Sequence, residues 1–73
     1  MTDAYENLAN TIILLAVNDY RRALKLLSKN PHSRSVMAAV DEMERFFRSD
    51  WYETLTSVDG EMLIRHLRKE SFL

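Results

Sequence analysis

Residues that could perform proton-transfer or metal chemistry are few in this chain, and their spacing does not suit it. His32 and His66 are the only histidines. One falls next to Pro31 in a predicted loop and the other on a predicted terminal helix, without the spacing of a ligand set. There is no cysteine, which removes disulfides and thiolate metal sites. Asp50, Asp59 and Glu61 stand where helices are predicted to begin. They read as cap and first-turn acids rather than as a catalytic carboxylate set. No Ser-His-Asp order, Gly-rich phosphate loop or HExxH occurs. The expectation is a non-enzymatic chain with no catalytic residue, no metal and no cofactor.

Recognition chemistry is better supplied. The chain has one Trp, three Tyr and three Phe, and four of these fall in the run Phe46-Phe47-Arg48-Ser49-Asp50-Trp51-Tyr52. Large aromatics dominate small cores, so Phe46, Phe47 and Trp51 are expected to fill a junction of helices. Trp and Tyr are also enriched among the residues that anchor protein interfaces. Phe46 and Phe47 point about 100° apart on a helix, so both cannot face one seam equally. Tyr52 is the expected outward aromatic.

Charge alternates along the chain although the net value is only −1. Residues 1–20 hold Asp3, Glu6 and Asp19 and no base; residues 21–34 hold Arg21, Arg22, Lys25, Lys29 and Arg34 and no acid. Asp41, Glu42 and Glu44 follow as an acidic patch, then Arg65, Arg68 and Lys69 make the end basic again. The basic segment would line one side of a helix and could follow a nucleic-acid backbone. The competing account is a solvated face supported by pairs such as Asp19 with Arg22.

Helices must position these residues. Asp3 and Glu6 have capping-box spacing. From Tyr5 to Leu27, apolar residues recur with the three- and four-residue steps of an amphipathic helix. Asn30-Pro31 ends it, because the residue before proline is pushed out of the α region. Ser33 or Ser35 caps a second helix with the stripe Val36, Met37, Val40, Met43, Phe46 and Phe47. Asp50 and Glu53 repeat the cap spacing, predicting a short third helix that opens at Trp51 and fades at Thr56-Ser57. A fourth begins near Val58 to Gly60 and carries Met62, Leu63, Ile64 and Leu67.

The fold expected from 73 residues, 47% of them hydrophobic, with one Gly and one Pro, is a single all-α domain over 1–73. It is a small bundle of one long N-terminal helix, an antiparallel second helix and two short C-terminal helices. The second helix should fold back to place the aromatic corner opposite Ile12–Val17, six consecutive apolar residues. A helix apolar all round is buried on more than one face. Cover by the short helices and a homodimer seam through Leu14 and Val17 compete as its explanation. The longest apolar run is far short of the roughly 20 residues a membrane span needs, and the N-terminus lacks a basic signal-peptide opening. The expected setting is therefore cytosolic.

Three groups of residues carry a family resemblance. They are Asp19-Tyr20-Arg21 with Ala23 and Leu24, the run Phe46 to Tyr52 with Leu55-Thr56, and Asp59-Gly60-Glu61 followed by Leu63-Ile64 and Leu67-Arg68-Lys69-Glu70. Together they resemble small proteins encoded in phages, prophages and integrated mobile elements of Gram-positive bacteria, over most of the chain. That group has no established activity from which a functional residue could be carried over. The resemblance implies a cytosolic bacterial setting and an accessory role exerted by binding a host or phage protein, such as part of a defence system. The expected interaction residues are Leu14, Val17, Phe47, Trp51 and Tyr52, with a protein partner and a homodimer. The alternative is a nucleic-acid-binding accessory or regulator using Arg21, Arg22, Lys25, Lys29 and Arg34.

Overall fold

The computed structural model describes residues 4–72, with side chains described from residue 7. The predicted cap at Asp3 and Glu6 lies outside those residues. The chain forms α1 (Ala4–Lys29), α2 (Arg34–Phe47), α3 (Asp50–Leu55) and α4 (Gly60–Phe72), an all-α bundle with a long N-terminal helix.

Local chemistry sets each boundary. The Asn30 amide still donates to the Leu26 carbonyl (2.9 Å), and Ser33 N–H closes the turn onto Asn30 (3.1 Å). Ser33, in extended backbone, is the N-cap of α2: its hydroxyl accepts from the Val36 amide at 3.4 Å. Ser35 is spent on a hydroxyl–hydroxyl bond to Ser33. The third helix differs from expectation by one residue. Ser49, not Asp50, is its N-cap, accepting from the Tyr52 amide at 3.2 Å and donating to the Phe46 carbonyl at 2.6 Å. The hydroxyl thereby holds the end of α2 against the start of α3. Asp59 accepts from the Glu61 amide at 3.0 Å where α4 begins.

Gly60 is required at that start by proximity rather than by dihedral freedom. A Cβ built there would lie 1.9 Å from the Phe47 carbonyl oxygen. The N-terminus of α4 is thus pressed onto the carbonyl end of α2, opposite ends of two helix dipoles in favourable contact.

The core is Ala16, Tyr20, Ala23 and Leu24 of α1, Val40 and Phe47 of α2, Tyr52 of α3, and Ile64 and Leu67 of α4. Four aromatic rings meet edge to face within it. Ring centroids are 5.4 Å apart for Tyr20–Phe47, 5.4 Å for Phe46–Phe47, 5.7 Å for Phe47–Tyr52 and 5.9 Å for Phe46–Tyr52. Trp51 is not among them. The expectation for this corner is reversed at two adjacent positions: Tyr52 is 1% exposed and Trp51 is 57% exposed. In a six-residue helix, Tyr52 and Leu55 share one side by three-residue spacing, and Trp51 and Leu55 share another by four. The first pairing is the one turned inward.

One buried group was not anticipated. Glu44, assigned above to an acidic patch with Asp41 and Glu42, is 7% exposed. Its Oε2 accepts the Tyr20 hydroxyl at 2.6 Å and the Arg68 Nε–H at 2.8 Å, and Arg68 Nη2 forms an ion pair with the same oxygen at 2.6 Å. Arg48 approaches its other oxygen at 3.5 Å and continues to Glu61. One carboxylate therefore ties α1, α2 and α4 together with its charge paired to two guanidinium groups, the condition under which a buried charge is tolerated.

Candidate interaction surface

The helices that build the core differ in reach. At 1.5 Å per residue, α1 is about 39 Å long, and α2 about 21 Å. Since α2 turns back at residues 30–33, it covers only the C-terminal half of α1. The molecule is accordingly elongated, 45 × 22 × 17 Å. Ile13 and Val17 pack against the core. Leu8, Leu14 and Leu15 do not: they are 59%, 62% and 60% exposed, and Ile12 is half-buried. The expectation that the Ile12–Val17 run is buried on more than one face is thus corrected, because α3 and α4 are too short to close a second side.

The interaction candidates divide accordingly. Leu14 and Trp51 are open to solvent. Val17 is partly buried, and Phe47 and Tyr52 are inside, so these last two are core residues and offer nothing to a partner. Trp51 is held on a fixed frame. Its helix is capped by Ser49 on one side, and its neighbour Tyr52 is locked between Phe46 and Phe47. A large aromatic presented on an ordered element loses little freedom on binding.

The basic candidates are partly assembled. Arg21, Arg22 and Lys25 line a shallow hollow of about 400 Å³ with Glu70 and Ser71 of α4. Lys29 and Arg34 do not line it. Arg21 is paired with Glu70 at 3.3 Å, and Arg22 stands 4.0 Å from Asp19, as its spacing predicted. These exposed pairs add little stability.

Two phenols sit in low-dielectric surroundings. Burial, and then the hydrogen bond to the Glu44 carboxylate, pushes the Tyr20 hydroxyl well above its ordinary range. Burial, and then the nearby Asp59 charge, raises that of Tyr52, whose buried hydroxyl has no hydrogen-bond partner. Neither phenol is set up as an acid or base near neutral pH. Among the described residues, no group of three His, Asp or Glu side chains could hold a metal ion. No described helix is long and apolar enough to cross a membrane. No protein-family model, curated protein or solved structure matches the chain.

Proposed function

We propose that this chain is a non-enzymatic accessory protein of a phage or mobile element, acting in the bacterial host cytosol by binding another protein. An inhibitor of host machinery such as a defence system fits that role. The carrying observation is Trp51, the chain's single tryptophan, held outside the core on a capped helix whose other aromatic is fully buried. Tryptophan is the residue type most over-represented where truncation costs an interface 2 kcal/mol or more. The test begins with affinity capture from an infected or lysogenic host, followed by calorimetry with the purified captured protein. Trp51→Ala should weaken that complex at least tenfold, about 1.4 kcal/mol, with an unchanged melting temperature. Equal affinity for both forms would overturn the role given to Trp51.

A second reading, a small nucleic-acid-binding protein, is favoured by the hollow that gathers Arg21, Arg22 and Lys25. Duplex binding would then fall steeply with salt, and charge reversal at these three positions would abolish it. No mobility shift at low salt removes this reading.

A further inference from the structure

Among the described residues, the Tyr52 hydroxyl is the buried side-chain polar group that has no hydrogen-bond partner. Burying a hydroxyl without a bond costs stability. A phenylalanine would fill the same space without that cost. The hydroxyl stands at the wall of a hollow of about 630 Å³, formed by the end of α2, by α3, by residues 56–59 and by the start of α4. Tyr52 lines it. Cε1, next to the ring carbon that bears the hydroxyl, lies 3.4 Å from where a Cβ on Gly60 would stand. The hydroxyl is thus turned to the Asp59–Gly60 corner, and the Asp59 charge acts on it. Residues 56–59 on that side bond only to their chain neighbours. Val58 N–H donates to Thr56 Oγ1 at 3.2 Å, Thr56 N–H donates to the Tyr52 carbonyl, and Asp59 accepts from the amides of Glu61 and Leu63. A ligand that reaches the hydroxyl displaces only this short connection.

The charges of the lining select what enters. Glu53, Asp59 and Glu61 bring three carboxylates and Arg48 one guanidinium, a net of −2. Arg48 is already committed to Glu61 and Glu44. Among the described residues, neither Glu53 nor Asp59 is in an ion pair. Nor do the acids there converge as a group that could hold a metal ion. The hollow falls in the range of about 300–1,000 Å³ usual for small-molecule sites.

We propose that this hollow binds a small organic cation bearing a primary ammonium group. An ammonium has three donors and no acceptor. The carboxylates of Glu53 and Asp59 and the phenol oxygen of Tyr52 supply three acceptors. The hydrocarbon end of the ligand lies against Phe47 and Val58, which line the same hollow. Tyr52 is then retained over phenylalanine because its hydroxyl serves the ligand rather than the fold. The site is independent of the protein-binding reading, since Trp51 does not line the hollow.

The test is a titration of the full chain with butylammonium, read by amide NMR at constant ionic strength. Butanol and butyrate serve as the neutral and anionic counterparts. Butylammonium alone should give saturable shifts, confined to the amides of residues 53–61. Tyr52→Phe keeps the ring and should weaken binding roughly threefold or more, about 0.6 kcal/mol. Glu53→Gln and Asp59→Asn should do the same, and an asparagine can still accept from the Glu61 amide. Without ligand, Tyr52→Phe should melt no lower than the parent, because it removes an unpartnered buried oxygen. Butylammonium should then raise the midpoint of the parent more than that of the variant. Shifts that do not saturate, equal shifts with butanol or butyrate, or unchanged binding by any of the three variants overturn the proposal. So does a ligand-free Tyr52→Phe that melts below the parent, since the hydroxyl would then serve the fold. None of these results touches the Trp51 test, which stands or falls by itself.

Discussion

The two halves of α1 carry similar apolar side chains and meet opposite surroundings. From Ala16 to Leu27, the helix supplies four buried residues and the Tyr20 hydroxyl that anchors Glu44. From Leu8 to Leu15, three leucines face water. Residue polarity does not separate the halves, because the open one contains four of the six residues of the longest apolar run in the chain. Length does: α2 ends after 14 residues and α1 runs for 26. An apolar residue is buried only where another element reaches it. The wrapped half should therefore answer mutation with lost stability and the open half with little change in stability.

The sharpest probe of the wrapped half is Phe47→Ala. Phe47 touches the rings of Tyr20, Phe46 and Tyr52, and removing it leaves a cavity no neighbour can fill. A loss of about 3–5 kcal/mol is expected in urea unfolding. Against a total of about 5–15 kcal/mol for a native domain, that is a large share of the stability. A loss under about 1 kcal/mol would break the comparison at its firmest point, since that is the range of changes outside the core. Gly60→Ala comes next. Its Cβ meets backbone, the Phe47 carbonyl, rather than a flexible side chain. The helices must separate, at about 1–3 kcal/mol, and the thermal midpoint should fall accordingly.

Tyr20→Phe sharpens the comparison from the polar side. It deletes one hydrogen bond to a charged acceptor, worth about 1.5 kcal/mol at the low end of such bonds, because Arg68 and Arg48 still hold Glu44. Its signature is pH-dependent. The folded pKa of Tyr20 is raised, so its contribution is complete below the unfolded value near 10. It is lost as pH climbs from there toward the folded value. Urea midpoints at about pH 9 and pH 11 should thus converge for the parent and Tyr20→Phe. A gap that persists unchanged at the higher pH would show that folding does not raise the Tyr20 pKa.

The periodic parts of this fold were legible in the sequence. The stripe of α1 from Ile13 to Leu27 and the stop at Asn30-Pro31 follow from local rules and stand as read, and of the two serines offered as the cap of α2 it is Ser33. Two things were not. Glu44 looks like a member of an acidic run, yet it falls four residues after Val40 and three before Phe47, which are both buried. That spacing marks a core position, and residue type hid it, because its partners Tyr20 and Arg68 are each 24 residues away. The choice between Trp51 and Tyr52 was beyond periodicity altogether. Six residues hold too few turns to define a face, and it is the rings of Phe46 and Phe47 that Tyr52 meets.

Trp51 is accordingly where the smallest effect on folding is expected and where it means most. Were the bulkier ring part of the core, Trp51→Ala would cost about 3–5 kcal/mol. With the ring outside, the cost should stay within about 0.5 kcal/mol, measured by thermal melting next to Tyr52→Ala as the buried control. A stable Trp51→Ala protein would extend the comparison beyond α1. It would put side by side, one peptide bond apart, a residue the fold depends on and one the fold can spare. More than half of that side chain's surface is left in water by its own domain. Its apolar area is recovered only if something else covers it.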